Sequence, residues 1–186
     1  MNIFDNIEKF DSNICFINEN RKEILYKDVL KQSEVISKEL KSRSLIFVLA
    51  QNQTELISSF VSFFRKGLVQ MLLDSKISKN LLKELINTYM PNYIFLPKLR
   101  NKELQNYEVI YELSNHVLLK LNNNNFYSIN KDLVLLLSTS GSTGSKKFVK
   151  ISYENIYQNT KNIISFLGIS EDHRTITTMP PFYTYG

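Results

Sequence analysis

The sequence predicts an α/β fold in which a mostly parallel sheet is flanked by helices. Short apolar runs alternate with longer segments whose apolar residues recur at helical spacing, and this alternation favours βαβ units. Three of the runs are apolar on both faces, which suits strands in a sheet that helices cover on both sides. These expected interior strands are Ser44–Ala50, Leu68–Leu73 and Leu133–Ser138.

The elements before residue 100 follow this alternation. Thr54 and Ser78 are expected to cap helices at their N-termini. Gly67 is expected to end the second helix, and Pro91 limits the third. The predicted elements are strands at Cys15–Ile17 and Ile24–Tyr26, a helix at Tyr26–Ser42, the strand Ser44–Ala50, a helix at Thr54–Lys66, the strand Leu68–Leu73, a helix at Ser78–Tyr89 and a strand at Tyr93–Leu96.

The pattern is weaker between Asn101 and Asn130. Val109–Tyr111 and Val117–Leu121 are candidate strands, and the four consecutive asparagines at 122–125 are typical of a loop. The polar stretch gives way to an apolar run after Asn130, which marks a candidate minor boundary within the chain.

The composition is typical of a soluble globular domain. The chain has 186 residues, of which 43% are hydrophobic and 22% are charged. Its net charge is +5, but the lysines are scattered along the sequence, so we do not expect nucleic-acid binding. The single cysteine, Cys15, excludes a disulfide framework and fits a reducing cytoplasm.

Targeting and membrane segments are not expected. The first ten residues include Asp5 and Glu8 and contain no apolar run, which is unlike a signal peptide. The apolar runs are far shorter than the roughly 20 residues that a membrane-spanning helix needs.

The strand Leu133–Ser138 runs into a segment rich in glycine and hydroxyl groups. Residues Thr139–Lys147 are all serine, threonine, glycine or lysine. Glycines allow several backbone N–H groups to point into one concavity, hydroxyls add donors, and lysine adds positive charge, which together suit a polyphosphate. A flexible linker is the alternative, although this segment sits between two apolar segments of the alternating pattern. The spacing is not that of the common P-loop, which would place Gly-Lys where Lys146 and Lys147 stand.

Residues 138–149 resemble the phosphate-loop signature of the adenylate-forming superfamily, which comprises acyl- and aryl-CoA synthetases, luciferases and the adenylation domains of nonribosomal peptide synthetases. The family pattern is Thr-Ser-Gly-Ser/Thr-Thr-Gly-x-Pro-Lys-Gly-Val. Thr139 through Gly144 match it at every position, and Lys147 falls at the family lysine. Further similar stretches, in the family's order, are Ile24–Val29, Phe64–Gly67, Leu68–Asp74 and Met179–Gly186.

The resemblance implies a reaction and a set of site residues. The reaction is attack of a carboxylate on the α-phosphate of ATP, with Mg²⁺ bridging phosphates, followed by acyl transfer to an acceptor such as coenzyme A or the phosphopantetheine of an acyl carrier protein. The implied ATP phosphate-binding residues are Thr139, Ser140, Gly141, Ser142, Thr143, Gly144 and Lys147. The implied substrate-pocket residues, which border the small-molecule carboxylic acid, are Phe182, Tyr183 and Gly186.

The chain departs from the family pattern at a few positions. Lys146 replaces the usual proline and Phe148 the usual glycine, changes that alter loop stiffness more than chemistry. Tyr183 stands where many relatives carry histidine, and this leaves the identity of the acid open. Elsewhere, His116 and His173 lack a metal-ligand partner at suitable spacing and are expected to be structural or exposed. Cys15 has no nearby histidine signal and is not expected to be a catalytic thiol.

By this resemblance, residues 1–186 correspond to the front part of the family's large N-terminal domain. The family's metal and ribose segments and its C-terminal domain lie outside this sequence, so we expect the chain alone to be catalytically incomplete and its apolar surface to favour self-association. The alternative is a non-catalytic chain that binds a nucleotide or a partner protein.

Overall fold

The computed structural model describes residues 3–4, 6–18, 20–104, 107–121, 128–138 and 147–183. Within these residues, a small hairpin precedes a larger sheet. The strands are β1 (Ile14–Ile17), β2 (Glu23–Leu25), β3 (Leu45–Ala50), β4 (Val69–Asp74), β5 (Tyr93–Pro97), β6 (Glu108–Glu112), β7 (His116–Lys120), β8 (Leu133–Ser138) and β9 (Phe148–Ser152). The α-helices are α1 (Tyr26–Lys38), α2 (Thr54–Arg65), α3 (Lys79–Tyr89) and α4 (Tyr153–Leu167), and 3-10 turns lie at Ile7–Phe10 and Lys98–Leu104.

The larger sheet has seven strands in the order β6-β7-β5-β3-β4-β8-β9. Its four central strands, β5, β3, β4 and β8, run parallel to one another. Strands β7 and β6 extend one side in antiparallel fashion, and β9 pairs antiparallel with β8 on the other. The α/β fold and the three expected interior strands are therefore confirmed.

Two apolar cores cover the two faces of this sheet, because successive side chains of a strand point to opposite faces. On one face Phe47 and Met71 pack with α3. On the other face Val48 and Leu72 pack with α2 and the end of α1. A smaller cluster, which includes Val29, joins the β1–β2 hairpin and α1 to α2. Helices on both faces explain why the central strands are mostly apolar, with Gln70 as a buried polar exception.

The observed helix ends can be compared with the residues that the sequence predicts as caps and stops. The side chain of Ser78 accepts a hydrogen bond from the Leu81 N–H, as expected for an N-cap. Gly67 follows α2 with φ +77°, a left-handed conformation that favours glycine. The expectation for Thr54 was wrong: Gln53, which has an extended backbone, is the N-cap residue, and Thr54 is the first residue inside the helix.

Helix α4 lies at the margin of the core, where its partly buried Ile156 packs against the face that contains Leu72. Ser152 and Asn155 form a reciprocal capping box at its start, and Gly168 ends it in the left-handed conformation. None of its residues is buried, and Phe166 is 88% exposed. An amphipathic helix of this kind presents an apolar stripe on the surface of the described structure.

Candidate active site

The predicted phosphate loop connects two paired strands. Ser138, the last residue of β8, lies opposite Phe148, the first residue of β9. Both ends of segment 139–146 are therefore held side by side at the carboxyl ends of the parallel strands. Ligands of open α/β sheets bind at this edge, where the strand ends open into a crevice.

The individual loop residues lie mostly outside the described residues. This holds for Thr139, Ser140, Gly141, Ser142, Thr143 and Gly144, and their phosphate-binding role stays a prediction. Lys147 is described: it is exposed and directly precedes β9. Its backbone thus lies between the end of the predicted loop and β9, and its contact with a phosphate stays a prediction.

Two of the predicted substrate residues, Phe182 and Tyr183, belong to Met179–Tyr183, which we call the substrate segment. Phe182 is half-buried and packs against the core that contains Leu72. Tyr183 is 47% exposed, and its ring centroid lies 4.8 Å from that of Phe182. The Tyr183 N–H donates to the Pro180 carbonyl at 3.1 Å, which closes a turn. Gly186 lies outside the described residues.

An apolar cavity of about 650 Å³ adjoins this segment, between α2 and α4. Its walls come from both helices, from β4, β8 and β9, and from Pro181 and Tyr183. The polar side chains in its lining, such as Asn155 and Asn159, are uncharged. The wall therefore suits an apolar group, and Leu137, next to the start of the predicted loop, is part of it.

A second cavity, of about 740 Å³, lies on the other face of the sheet. Its lining includes Leu45 and Val69, the first residues of β3 and β4. This places it toward the amino ends of the parallel strands. Its lining also includes Phe148, which lies opposite Ser138, so on the side of β9 it extends toward the predicted loop.

Sequence reasoning missed a buried histidine–glutamate pair at the carboxyl edge. His116 is fully buried, and its Nδ1 lies 2.6 Å from Glu55 Oε2. Because a carboxylate only accepts, we assign the proton of a neutral imidazole to Nδ1, so that this nitrogen donates to Glu55. Glu55 also accepts the Asn115 N–H at 2.9 Å, and the His116 ring stacks on Phe95 at 4.8 Å.

The surroundings of His116 favour its neutral form. Burial lowers the pKa of His116, and the hydrogen bond and charge of Glu55 oppose this effect in part. Its Nε2 is buried and has no hydrogen-bond partner among the described residues. His116 is therefore buried rather than exposed, and its structural role stays a prediction. His173, in contrast, is exposed, and its Nδ1 accepts the Ser170 N–H.

The single cysteine, Cys15, is the other side chain considered for catalysis. Burial raises the pKa of the Cys15 thiol, which disfavours the reactive thiolate.

Across the described ranges, no three His, Cys, Asp or Glu side chains are grouped so that they could hold a metal ion. No helix in the described part of the chain is both long and apolar enough to cross a bilayer.

Comparisons with solved structures identify the fold. ATP-bound MatB from Rhodopseudomonas palustris superimposes with a TM-score of 0.80 at 15% identity, over 98% of this chain and 40% of that chain. MenE from Bacillus subtilis, an O-succinylbenzoate coenzyme A synthetase solved with ATP and magnesium ion, gives a TM-score of 0.72 at 17% identity, over 95% of this chain and 49% of that chain. The chain thus spans less than half the length of these structures, and at such identity the likeness establishes the fold alone.

The family itself follows from the sequence. The family model described as AMP-binding enzyme matches residues 3–186. This match includes the β8–β9 hairpin, the predicted loop that it encloses and the substrate segment. The chain therefore belongs to the AMP-binding enzyme family of adenylate-forming ligases.

Proposed function

We propose that this chain is the N-terminal portion of an ATP-dependent ligase that activates a carboxylic acid as an acyl-adenylate and passes the acyl group to a thiol. The observation that carries the proposal is the β8–β9 hairpin, since it fixes both ends of the Thr139–Gly144 signature at the carboxyl edge of the parallel sheet. The family match supports the adenylation step.

The proposed reaction is an in-line displacement. A carboxylate oxygen of the acid attacks the α-phosphorus of ATP, the bond from this phosphorus to the bridging oxygen of the β-phosphate breaks, and pyrophosphate leaves with that electron pair. The protein's contribution to such a transfer is positioning and stabilisation of negative charge. Backbone N–H groups and hydroxyls of Thr139–Gly144 would hold the β- and γ-phosphates, and the Lys147 ammonium group would add positive charge.

Magnesium is proposed as the companion of ATP, since a relative was solved with both. The described residues do not offer a group of protein ligands for it. The oxygen ligands that Mg²⁺ prefers would then come largely from substrate phosphates and water. No step proposed for this chain depends on a protein-held metal.

The acid would lie beside Phe182, Tyr183 and Gly186. The apolar cavity supports this position, since Tyr183 is part of its wall. As acyl acceptor we propose coenzyme A or the phosphopantetheine of an acyl carrier protein, and the cytoplasm, where both thiols occur, as the location. Tyr183 stands where many relatives carry histidine, and this difference bears on which acid the chain would accept.

Calorimetric titration of the purified chain with ATP and Mg²⁺ tests the nucleotide site. We expect binding that is abolished when residues 139–147 are scrambled, because the order of glycines, hydroxyls and lysine is what shapes a phosphate site. A scrambled chain keeps its net charge of +5, so it is a matched control for general basicity. ATP binding that survives scrambling would refute the loop assignment.

A second candidate function is nucleotide binding without catalysis. The observation that favours it is that the Thr139–Gly144 signature concerns phosphate binding, which does not by itself require chemistry. ATP binding by the chain without acid-dependent chemistry would support this alternative.

A further inference from the structure

We propose that Asn52 is a positioning residue that seats the substrate segment on the carboxyl edge of the sheet. We call the attachment of Met179 to Asn52 the seat. Its significance for substrate binding rests on the proposed function, but the existence of the attachment does not. Asn52 lies in the turn between β3 and α2, and its Nδ2 donates to the Met179 carbonyl at 3.1 Å. The two residues are 127 positions apart in the sequence.

The substrate segment has few backbone groups with which to hold itself in place. Pro180 and Pro181 follow Met179, and neither proline has an N–H to donate. The N–H of Tyr183 is used within the segment, where it bonds the Pro180 carbonyl. The Met179 carbonyl is therefore a natural point of attachment, and Asn52 supplies its donor.

The turn that carries Asn52 is itself anchored to the sheet. Three residues further along, Glu55 accepts hydrogen bonds from the Asn115 N–H and from the buried His116 ring. His116 lies opposite Pro97, the last residue of β5. The Met179 carbonyl is thus connected, through one short turn, to the carboxyl ends of the central strands.

This attachment fixes where the two aromatic rings of the segment lie. Phe182 packs on the core, while Tyr183 lines the apolar cavity. A segment released at Met179 would keep the Phe182 contact but could rotate about it. We therefore expect Asn52 to control the position of Tyr183 without touching the ligand.

The chain contains no tryptophan, so Tyr183→Trp introduces a single fluorescent reporter into the segment. In this background, Asn52→Ala should increase acrylamide quenching and shift the emission to longer wavelength. An ordinary hydrogen bond changes an equilibrium by roughly 2- to 10-fold, which sets the expected rise in the released population. Asn52→Asp is the sharper test, because the ionised carboxylate has nearly the same shape but no N–H to donate.

The control is Asn87→Ala, at an exposed position of α3 on the opposite face of the sheet. It should leave the fluorescence unchanged, and all variants should keep the circular dichroism of the parent, since Asn52 is exposed. Hydrogen exchange on the Tyr183-containing chain supplies a second reading, because release should speed exchange of the Tyr183 amide. An Asp variant that behaves like the parent, or an Ala variant with unchanged quenching and exchange, overturns the proposal.

Neither measurement uses ATP or an acid, so the seat and the proposed function can fail separately. If quenching rises as expected but the chain does not bind ATP, the seat stands and the proposed function fails. If ATP binds but the Asn52 variants are indistinguishable from the parent, the proposed function stands and the seat fails. Global unfolding of both Asn52 variants, while Asn87→Ala stays folded, would give Asn52 a general structural role and overturn the proposal as well.

Discussion

Two adjacent lysines with the same charge occupy different positions relative to the predicted phosphate loop. Lys147 falls at the family lysine and directly precedes β9, whereas Lys146 stands where the family carries proline. We predict that Lys147→Ala weakens ATP binding and that Lys146→Ala does so much less. A charge-assisted hydrogen bond contributes about 1.5–3 kcal/mol, and exposure of Lys147 favours the lower end. Calorimetry on the two variants decides this, and equal losses would show that general basicity holds the phosphate.

His116 gives the chain a defined response to acid. Since burial lowers its pKa below the ordinary 6.5, the unfolded chain takes up a proton below pH 6.5 that the folded chain does not. The free energy of unfolding should therefore fall as pH drops below 6.5, by at most about 1.4 kcal/mol per pH unit. Hydrogen bonds from Arg65 and Arg100 lower the pKa of Glu8 and Glu103 from 4.5, so these carboxyl groups add to the loss as pH falls toward 4.5 and below.

Denaturant unfolding at several pH values measures this slope. His116→Gln should lower stability at pH 7 but flatten the curve below pH 6.5. His173→Gln, at an exposed position, is the matched histidine-to-glutamine substitution with which this slope is compared. A parental slope in His116→Gln would assign the acid response to other groups.

Among the secondary-structure elements, α3 begins with an N-cap in which a side chain bonds the first turn of the helix. The Ser78 hydroxyl oxygen accepts the Leu81 N–H, while Leu82, Leu85 and Ile86 of the same helix are buried in the sheet core. Ser78→Ala should lower the free energy of unfolding by about 1 kcal/mol, and Ser78→Asp should restore most of it, because either side chain can cap. Urea denaturation measures both, and a neutral Ser78→Ala would mean that packing alone fixes the start of the helix.

The elements that the sequence predicted are those whose signal is local. Strand β3 is a continuous apolar run and β4 is apolar except at Gln70 and Asp74, because both faces of the sheet are covered. The Ser78 cap and the Gly67 stop act within a few residues. The sequence pattern predicted no element after Ser138. Strand β9 is a half-exposed edge strand that depends on pairing with β8, and α4 buries none of its residues, so neither carries the signature of a core element.

The same distinction separates the predicted and the missed parts of the site. The phosphate-loop signature occupies consecutive positions, so it can be recognised without a structure. The bonds from Asn52 to Met179 and from Glu55 to His116 join residues 127 and 61 positions apart. Only the order of strands at the carboxyl edge brings these partners together.

Among the surfaces formed by the described residues, the apolar stripe of α4 is the one most suited to association. Phe166 is 88% exposed and Leu167 is 61% exposed, near Ile163 and Ile164 on the same helix. We predict that the chain self-associates and that Phe166→Ser combined with Leu167→Ser makes it more monomeric, because contiguous apolar patches favour association. Sedimentation velocity over a concentration series measures this. Lys161→Ser on the same helix is the control, and a monomeric parent chain would contradict the prediction.

Catalysis requires more aligned groups than phosphate binding does. Across the described residues we find no group of acidic side chains for a metal. The loop can hold a triphosphate at one end, but in-line attack needs the acid and the α-phosphate to be aligned as well. Alignment contributes up to about 7–11 kcal/mol to rate acceleration, so its loss leaves the rate near background. We therefore predict that residues 1–186 alone bind ATP but do not catalyse acid-dependent exchange of labelled pyrophosphate into ATP.

The exchange assay uses the purified chain, Mg²⁺ and a panel of fatty, aryl and amino acids. Thr143→Ala combined with Lys147→Ala serves as the control, because it removes two of the proposed phosphate contacts and should abolish any exchange that this site catalyses. The parent and the double variant should be equally inactive, while only the parent binds ATP. Robust exchange by the parent with any one acid, absent from the double variant, would show that the elements from β1 to the substrate segment already align both substrates. The catalytic groups would then have to lie within these 186 residues.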